Sequence, residues 1–222
     1  MNRYVKQYLT LMSLMFCIAL HCDILFAQAR RQAQPEKASP RVANFRPIGP
    51  AATTPAVIPP VLMSKEHAAL CAVKVGDTFP NISLDRLGDR PTRLSELFGR
   101  TATVVAFWRA DRRASRTLLA DLGPDVIEPF RQRGVAVVGV AVEQPENVAR
   151  PALEKAEAQF PNLLDADGKA FAQVGKERLP RVYLVDGQGK ILWFDIDYSL
   201  STRRELNQAL RAVTASSGAR QE

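Results

Sequence analysis

Cysteine and histidine are scarce in this chain of 222 residues, which carries three of the first and two of the second. Three cysteines cannot build a dense disulfide scaffold. His21 and His67 leave little room for a histidine-built metal centre or a Ser-His-Asp triad. No cysteine follows Cys71, no glycine-rich phosphate loop occurs and no segment repeats. Hydrophobic residues make up 46% and charged residues 24%, values that exclude wholesale disorder, a collagen-like chain and a polytopic membrane protein. Length allows one full-sized domain with extensions.

What is present begins with an N-terminus of unusual layout. Arg3 and Lys6 precede a mostly apolar run from Tyr8 to Phe26, and Ala27-Gln28-Ala29 follows with small residues. That order is expected of a secretory signal peptide over residues 1–29, cut after Ala29, and it implies an exported protein, periplasmic or extracellular. An uncleaved segment would instead hold the chain to a membrane, the one membrane contact foreseen. Removing Arg3, Lys6 and Asp23 lowers the net charge from +7 to +6 and leaves Cys71 and His67 as the single cysteine and histidine. Residues 30–72 read as a proline-rich flexible linker, because Pro35, Pro40, Pro47, Pro50, Pro55, Pro59 and Pro60 fix φ and remove donors. Ser64 is placed to cap a short helical turn running toward Cys71.

From Val75 onward the pattern becomes regular. Strands are expected at Ile82–Leu84, Thr101–Trp108 and Val135–Val142, the last apolar at every position as in a strand covered on both faces. Ser115–Gln132 has helical spacing interrupted at Gly123-Pro124, and Pro151–Phe160 reads as a short helix. Asn162–Leu164 is a short strand. Arg181–Val185 and Ile191–Ile196 form a hairpin across Asp186–Lys190. Thr202 and Glu205 have capping-box spacing for a last helix ending near Val213, with 214–222 as a disordered tail. Alternating strands and helices predict an α/β domain with helices on both faces of a mixed sheet.

Five segments, in order, resemble the thioredoxin-like redoxin family, in its exported thiol-disulfide oxidoreductase and peroxiredoxin-related branch. They are Val75-Gly76-Asp77-Thr78-Phe79-Pro80, Leu94-Ser95-Glu96-Leu97 before Gly99, Val104–Trp108, Val135–Val140, and Leu179-Pro180-Arg181 with the strand and hairpin after it. The resemblance implies a thioredoxin-like fold over 73–213 and a cis peptide bond before Pro180. It also implies a Cys-x-x-Cys dithiol at a helix N-terminus just beyond Phe107-Trp108, where the helix dipole favours a thiolate.

Counted from Trp108, those two positions fall on Arg112 and Ser115. The family's catalytic pair is therefore read as lost, and the chain as a binding or assembly module. A thiol-dependent oxidoreductase or antioxidant protein using Cys71 with an external resolving thiol is the alternative. Arg109, Arg112, Arg113 and Arg116 cluster about the expected helix start, with Asp111 as its cap and Arg181 as a fifth member beside Pro180. Guanidiniums and unpaired N–H groups together suit an anion or an extended peptide. No cofactor, metal or nucleic acid is expected.

Overall fold

A computed structural model describes residues 57–87 and 90–218, all within one packed unit, Ala52–Glu222. The expected signal peptide, the linker up to residue 56, the Gly88-Asp89 turn and the tail from residue 219 lie outside the described residues. The described elements begin with α1 (Lys65–Ala68), β1 (Ser83–Arg86) and β2 (Pro91–Arg93), a 3-10 turn (Leu94–Leu97), and β3 (Ala102–Trp108). Next come α2 (Arg113–Leu122), a π turn (Gly123–Ile127), α3 (Glu128–Phe130), β4 (Val135–Val142), α4 (Glu146–Lys155), β5 (Asn162–Asp165) and α5 (Lys169–Ala172). The hairpin β6 (Arg181–Asp186) and β7 (Ile191–Asp195) precedes α6 (Leu200–Gly218).

The strands form one mixed sheet of seven, ordered β2-β1-β5-β4-β3-β6-β7. β3, β4 and β5 run parallel, β6 is antiparallel to β3, and β1 is antiparallel to β5. The apolar runs of β3 and β4 explain their central place: every residue of β3 is buried, so both of its faces must be covered. Alternation divides the core between those faces. Val105, Phe107, Val138, Val140, Tyr183 and Val185 share one side with α5 residues Ala170 and Phe171. Val104, Ala106, Val137, Val182 and Leu184 share the other with Leu118 and Leu122 of α2 and Leu206 and Leu210 of α6. At the end of β3, Trp108 meets Leu119 of α2 and Ala149 of α4, and its indole Nε1 donates to Asn162 Oδ1 at 3.1 Å. Gly139 makes that bond possible, since a Cβ there would run into the Asn162 amide oxygen.

Several boundaries differ from the expectations. The domain starts before residue 73: Ile58, Val61, Met63 and Cys71 pack against the core, and Gln208 of α6 donates to the Val57 carbonyl at 2.9 Å. Proline excludes a ladder but not the burial of its apolar neighbours, which is why composition suggested a linker. Ser64 does cap α1, accepting from His67 N. Gly123-Pro124 opens a π turn rather than a full break. Pro151 lies inside α4, which begins earlier than expected, at Glu146. The last helix is capped by Ser199 and Thr202, whose side chains and N–H groups bond reciprocally, not by Thr202 with Glu205. It continues past Val213 because Thr214 is buried and its hydroxyl donates to the Leu210 carbonyl at 2.8 Å.

Candidate functional site

Three parallel strands deliver their carboxyl ends to one edge of the sheet, where α/β proteins commonly bind ligands. β3 leads into Arg109–Arg112 and then α2, β4 into Glu143-Gln144, and β5 into Asp165 and the turn before α5. β6 starts at the same edge, because Arg181 stands opposite Phe107 in the ladder. The peptide bond between Leu179 and Pro180 is cis. Pro180 is thus beside the end of β3 from which α2 departs.

The start of α2 is held from beneath and left open above. Gln144 is buried and works as a brace: its Oε1 accepts from Ala110 N at 2.8 Å and its Nε2 donates to Trp108 C=O at 3.3 Å. Ser115, also buried, accepts from Arg109 N at 3.2 Å. Arg112 is the N-cap residue and no side chain caps the helix. Among the described residues the N–H groups of Arg113, Ala114 and Ser115 have no acceptor. A helix N-terminus normally carries Ser, Thr, Asp or Asn to fill that role. Asp111, expected as the cap, pairs sideways instead, with Arg109 at 3.3 Å and with Arg112 at 3.8 Å.

The five arginines do not act together. Arg109 is the most engaged of the open four, 30% exposed at its side chain and bonded to Glu143 at 2.9 Å as well as to Asp111. Glu143 holds a left-handed backbone, φ 47°, and its N–H donates to Asp165 C=O. Arg116 folds back to donate to the Ala110 carbonyl at 2.7 Å. Arg112, 60% exposed, and Arg113, exposed, are the pair that faces outward. Arg181 was expected among them and is not: its side chain is fully buried on the Tyr183 face of β6. The reason is strand alternation, which sends residues 181, 183 and 185 to one side.

Two further features were not singled out from the sequence. Leu179 is half-buried, and neither its N–H nor its C=O has a partner among the described residues. Asp165 is fully buried and accepts from Ala170 N at 3.1 Å and Phe171 N at 2.7 Å, fixing the start of α5. Burial raises its pKa above the ordinary 3.8, partly offset by those two N–H donors, while Asp167 and Glu143 add to the rise. Asp165 follows an apolar strand and precedes a turn, a pattern that could have flagged it as a cap. Cys71 lies on the Phe107 and Tyr183 side of the sheet, half-buried, with its sulfur 3.6 Å from Arg181 Nη1. Among the described residues no three of His, Cys, Asp and Glu come together as a metal-holding group, and no helix is long and apolar enough to cross a membrane. Open grooves of about 640, 540 and 690 Å³ run along α4, on α6 and between the hairpin turn and α6, none of them lined by residues of this edge.

Known proteins share this framework. The chain is 24% identical over 142 residues to the thiol-disulfide oxidoreductase ResA of Geobacillus thermodenitrificans, covering 64% of this chain and 79% of that protein. A crystal structure assigned as a thiol:disulfide interchange protein DsbE from Chlorobium tepidum superposes with a TM-score of 0.59 at 21% identity, covering 64% of this chain and 99% of the other. The peroxidoxin BcpB of Mycobacterium tuberculosis superposes with a TM-score of 0.52 at 21% identity, covering 62% and 96%. These likenesses establish a thioredoxin-like fold. The sequence profile of the AhpC/TSA family matches residues 75–194, more than half of the 222, and the chain therefore belongs to that family.

Proposed function

We propose that this protein is an exported redoxin whose dithiol site is degenerate and which works as a binding module at the carboxyl edge of its sheet. The observation that carries the reading is the open start of α2. Arg112 and Ser115 stand where the family motif has its thiols, and neither side chain can attack a disulfide. The surrounding scaffold is nevertheless kept: the cis bond before Pro180, the Gln144 brace and the unfilled N–H groups of Arg113, Ala114 and Ser115.

The ligand class follows from the chemistry of that edge. Leu179, beside the cis bond, offers one donor and one acceptor without a partner among the described residues, as adding a short strand requires. Arg112 and Arg113 offer guanidinium forks at the same edge of the sheet, suited to carboxylates. The partner is an extended, acidic polypeptide segment. Export is supported by the N-terminal sequence layout, with Arg3 and Lys6 ahead of the apolar run and Ala27-Gln28-Ala29 behind it.

The test uses the full chain in two assays. Insulin reduction with dithiothreitol is expected to show no turnover above the uncatalysed rate. Fluorescence anisotropy with labelled extended peptides is expected to show binding to acidic sequences, weakened about tenfold or more by Arg112→Ala with Arg113→Ala. Robust insulin turnover would overturn the reading, and so would peptide affinity indifferent to both arginines.

A further inference from the structure

Lys176, Glu177 and Arg178 are exposed polar residues, and nothing in their sequence asks for a fixed shape. They nevertheless form a closed turn. Arg178 N–H donates to Lys176 C=O at 3.0 Å, two residues back, and Glu177 between them takes a left-handed backbone, φ 67°. A γ-turn of positive φ is rare, and a residue with a Cβ holds it only where its surroundings impose it. Leu179 comes next, before Pro180, so this turn sets the course of the backbone whose N–H and C=O have no partner among the described residues.

The side chain of Arg181 supplies that constraint. It is fully buried, and its fork closes both ends of the turn. Nη2 donates to Lys176 C=O at 2.6 Å and Nε to Arg178 C=O at 3.0 Å. Nη2 also donates to Leu70 C=O at 2.9 Å, and that carbonyl accepts from Lys176 N at 3.0 Å, so the start of the turn is tied to the N-terminal segment as well. The Phe171 ring lies 5.4 Å from the central guanidinium carbon and steadies its plane. Gly175 leaves the space, since a Cβ there would collide with Nη1. The contact between Arg178 and Asp197, at 4.0 Å, is exposed and long and contributes little. A planar fork with several donors reaches carbonyls on both sides of one residue, and an ammonium offers no such fork.

We propose that Arg181 is the positioning residue of the peptide-binding edge: it holds the turn at Glu177 and so keeps the Leu179 N–H and C=O set for an incoming strand. The proposal rests on the peptide binding inferred for this edge. Arg181 is buried and does not touch the ligand. Its contribution is preorganisation. A loop ordered beforehand spares the complex the entropy of ordering it, and fixing one or two backbone residues at the moment of binding costs about tenfold or more in affinity. Arg112 and Arg113 then read the ligand's carboxylates, and Arg181 fixes the backbone that reads its main chain.

The experiment uses the isotope-labelled full chain, with backbone order parameters measured by NMR relaxation without ligand and affinity measured by anisotropy with the labelled acidic peptide. In the parent the Leu179 amide is expected at an order parameter of about 0.85, the value of rigid backbone, and in Arg181→Met below about 0.6, with the central strands unchanged. Arg181→Lys keeps the charge, loses the fork and falls between the two. Peptide affinity is expected to drop about tenfold in Arg181→Met. A parent whose Leu179 order parameter already lies below about 0.6 overturns the proposal, whatever the fate of the variants. A folded Arg181→Met protein that keeps the parent's order at Leu179, or the parent's affinity, overturns it as well. A parent ordered at Leu179 that binds no peptide overturns the binding role, and with it the use assigned to Arg181, so the order parameters tell the two failures apart.

Discussion

Arg112 and Arg181 stand at the same edge of one sheet and occupy opposite physical situations. Arg112 is mostly in water, and its nearest acid is a long 3.8 Å contact with Asp111. Arg181 has no exposure and three carbonyl acceptors. Exposed pairs contribute little, typically up to about 1 kcal/mol, and exchange partners readily. A buried guanidinium is fixed, because each carbonyl it leaves unsatisfied costs about 1–3 kcal/mol. One arginine is thus free to recognise something else, and the other joins the N-terminal segment through Leu70 to the Lys176–Pro180 loop. Residue type predicted a single cluster, and burial separates it into an exposed pair and an internal clasp.

The comparison is broken most directly at the clasp. Arg181→Met is expected to destabilise by about 3 kcal/mol, since it strips the Leu70, Lys176 and Arg178 carbonyls of their donor while keeping most of the volume. Urea unfolding followed by tryptophan fluorescence gives the number, and a loss under 1 kcal/mol would mean that the clasp is ornamental. Gly175→Ala addresses the same joint from outside, through the collision with Arg181 Nη1. It is expected to cost about 1–3 kcal/mol in the same assay.

A third variant examines the acid that anchors α5 between the two regions. Asp165 has a raised folded-state pKa, so the folded protein holds a proton that the unfolded chain has released. Its contribution therefore favours the fold at low pH and declines as pH climbs from the ordinary 3.8 to the raised value. Asp165→Asn is expected to flatten that part of the decline in a series of thermal melts between pH 4 and 7. An unchanged slope would show that another group carries it.

The smallest effect on stability, and the largest contrast with the clasp, belongs to the open pair. Arg112→Ala with Arg113→Ala is expected to change stability by no more than about 0.5 kcal/mol, as for surface positions in general. Relief of repulsion at a helix N-terminus could even raise it by a few tenths. Phosphate is expected to raise the melting temperature of the parent more than chloride at matched ionic strength, and to lose that margin in the double variant. Equal shifts in both proteins would reduce Arg112 and Arg113 to a solvated face.

Much of the frame was legible in the sequence because apolar runs leave few choices. Thr101–Trp108 and Val135–Val142 have no polar face to offer water, so they had to be central strands, and the hairpin at Asp186–Lys190 announced itself by its glycines. Leu179-Pro180 was placed with its cis bond by resemblance to the family, and the absence of thiols at residues 112 and 115 is a matter of reading letters. Arg181 was misjudged because sequence proximity to Pro180 said nothing of which face its side chain takes. The segment from Val57 to Cys71 was misjudged because prolines mask the burial of Ile58, Val61 and Met63 between and after them. The meeting of Cys71 with Arg181 joins residues 110 positions apart. Local pattern determines which segments become strands and helices, since those depend on neighbours three or four residues away or on alternation. Which charge is buried, which thiol it touches and which backbone groups stay free are decided only when distant segments pack, because desolvation belongs to the whole fold and to no stretch of the chain.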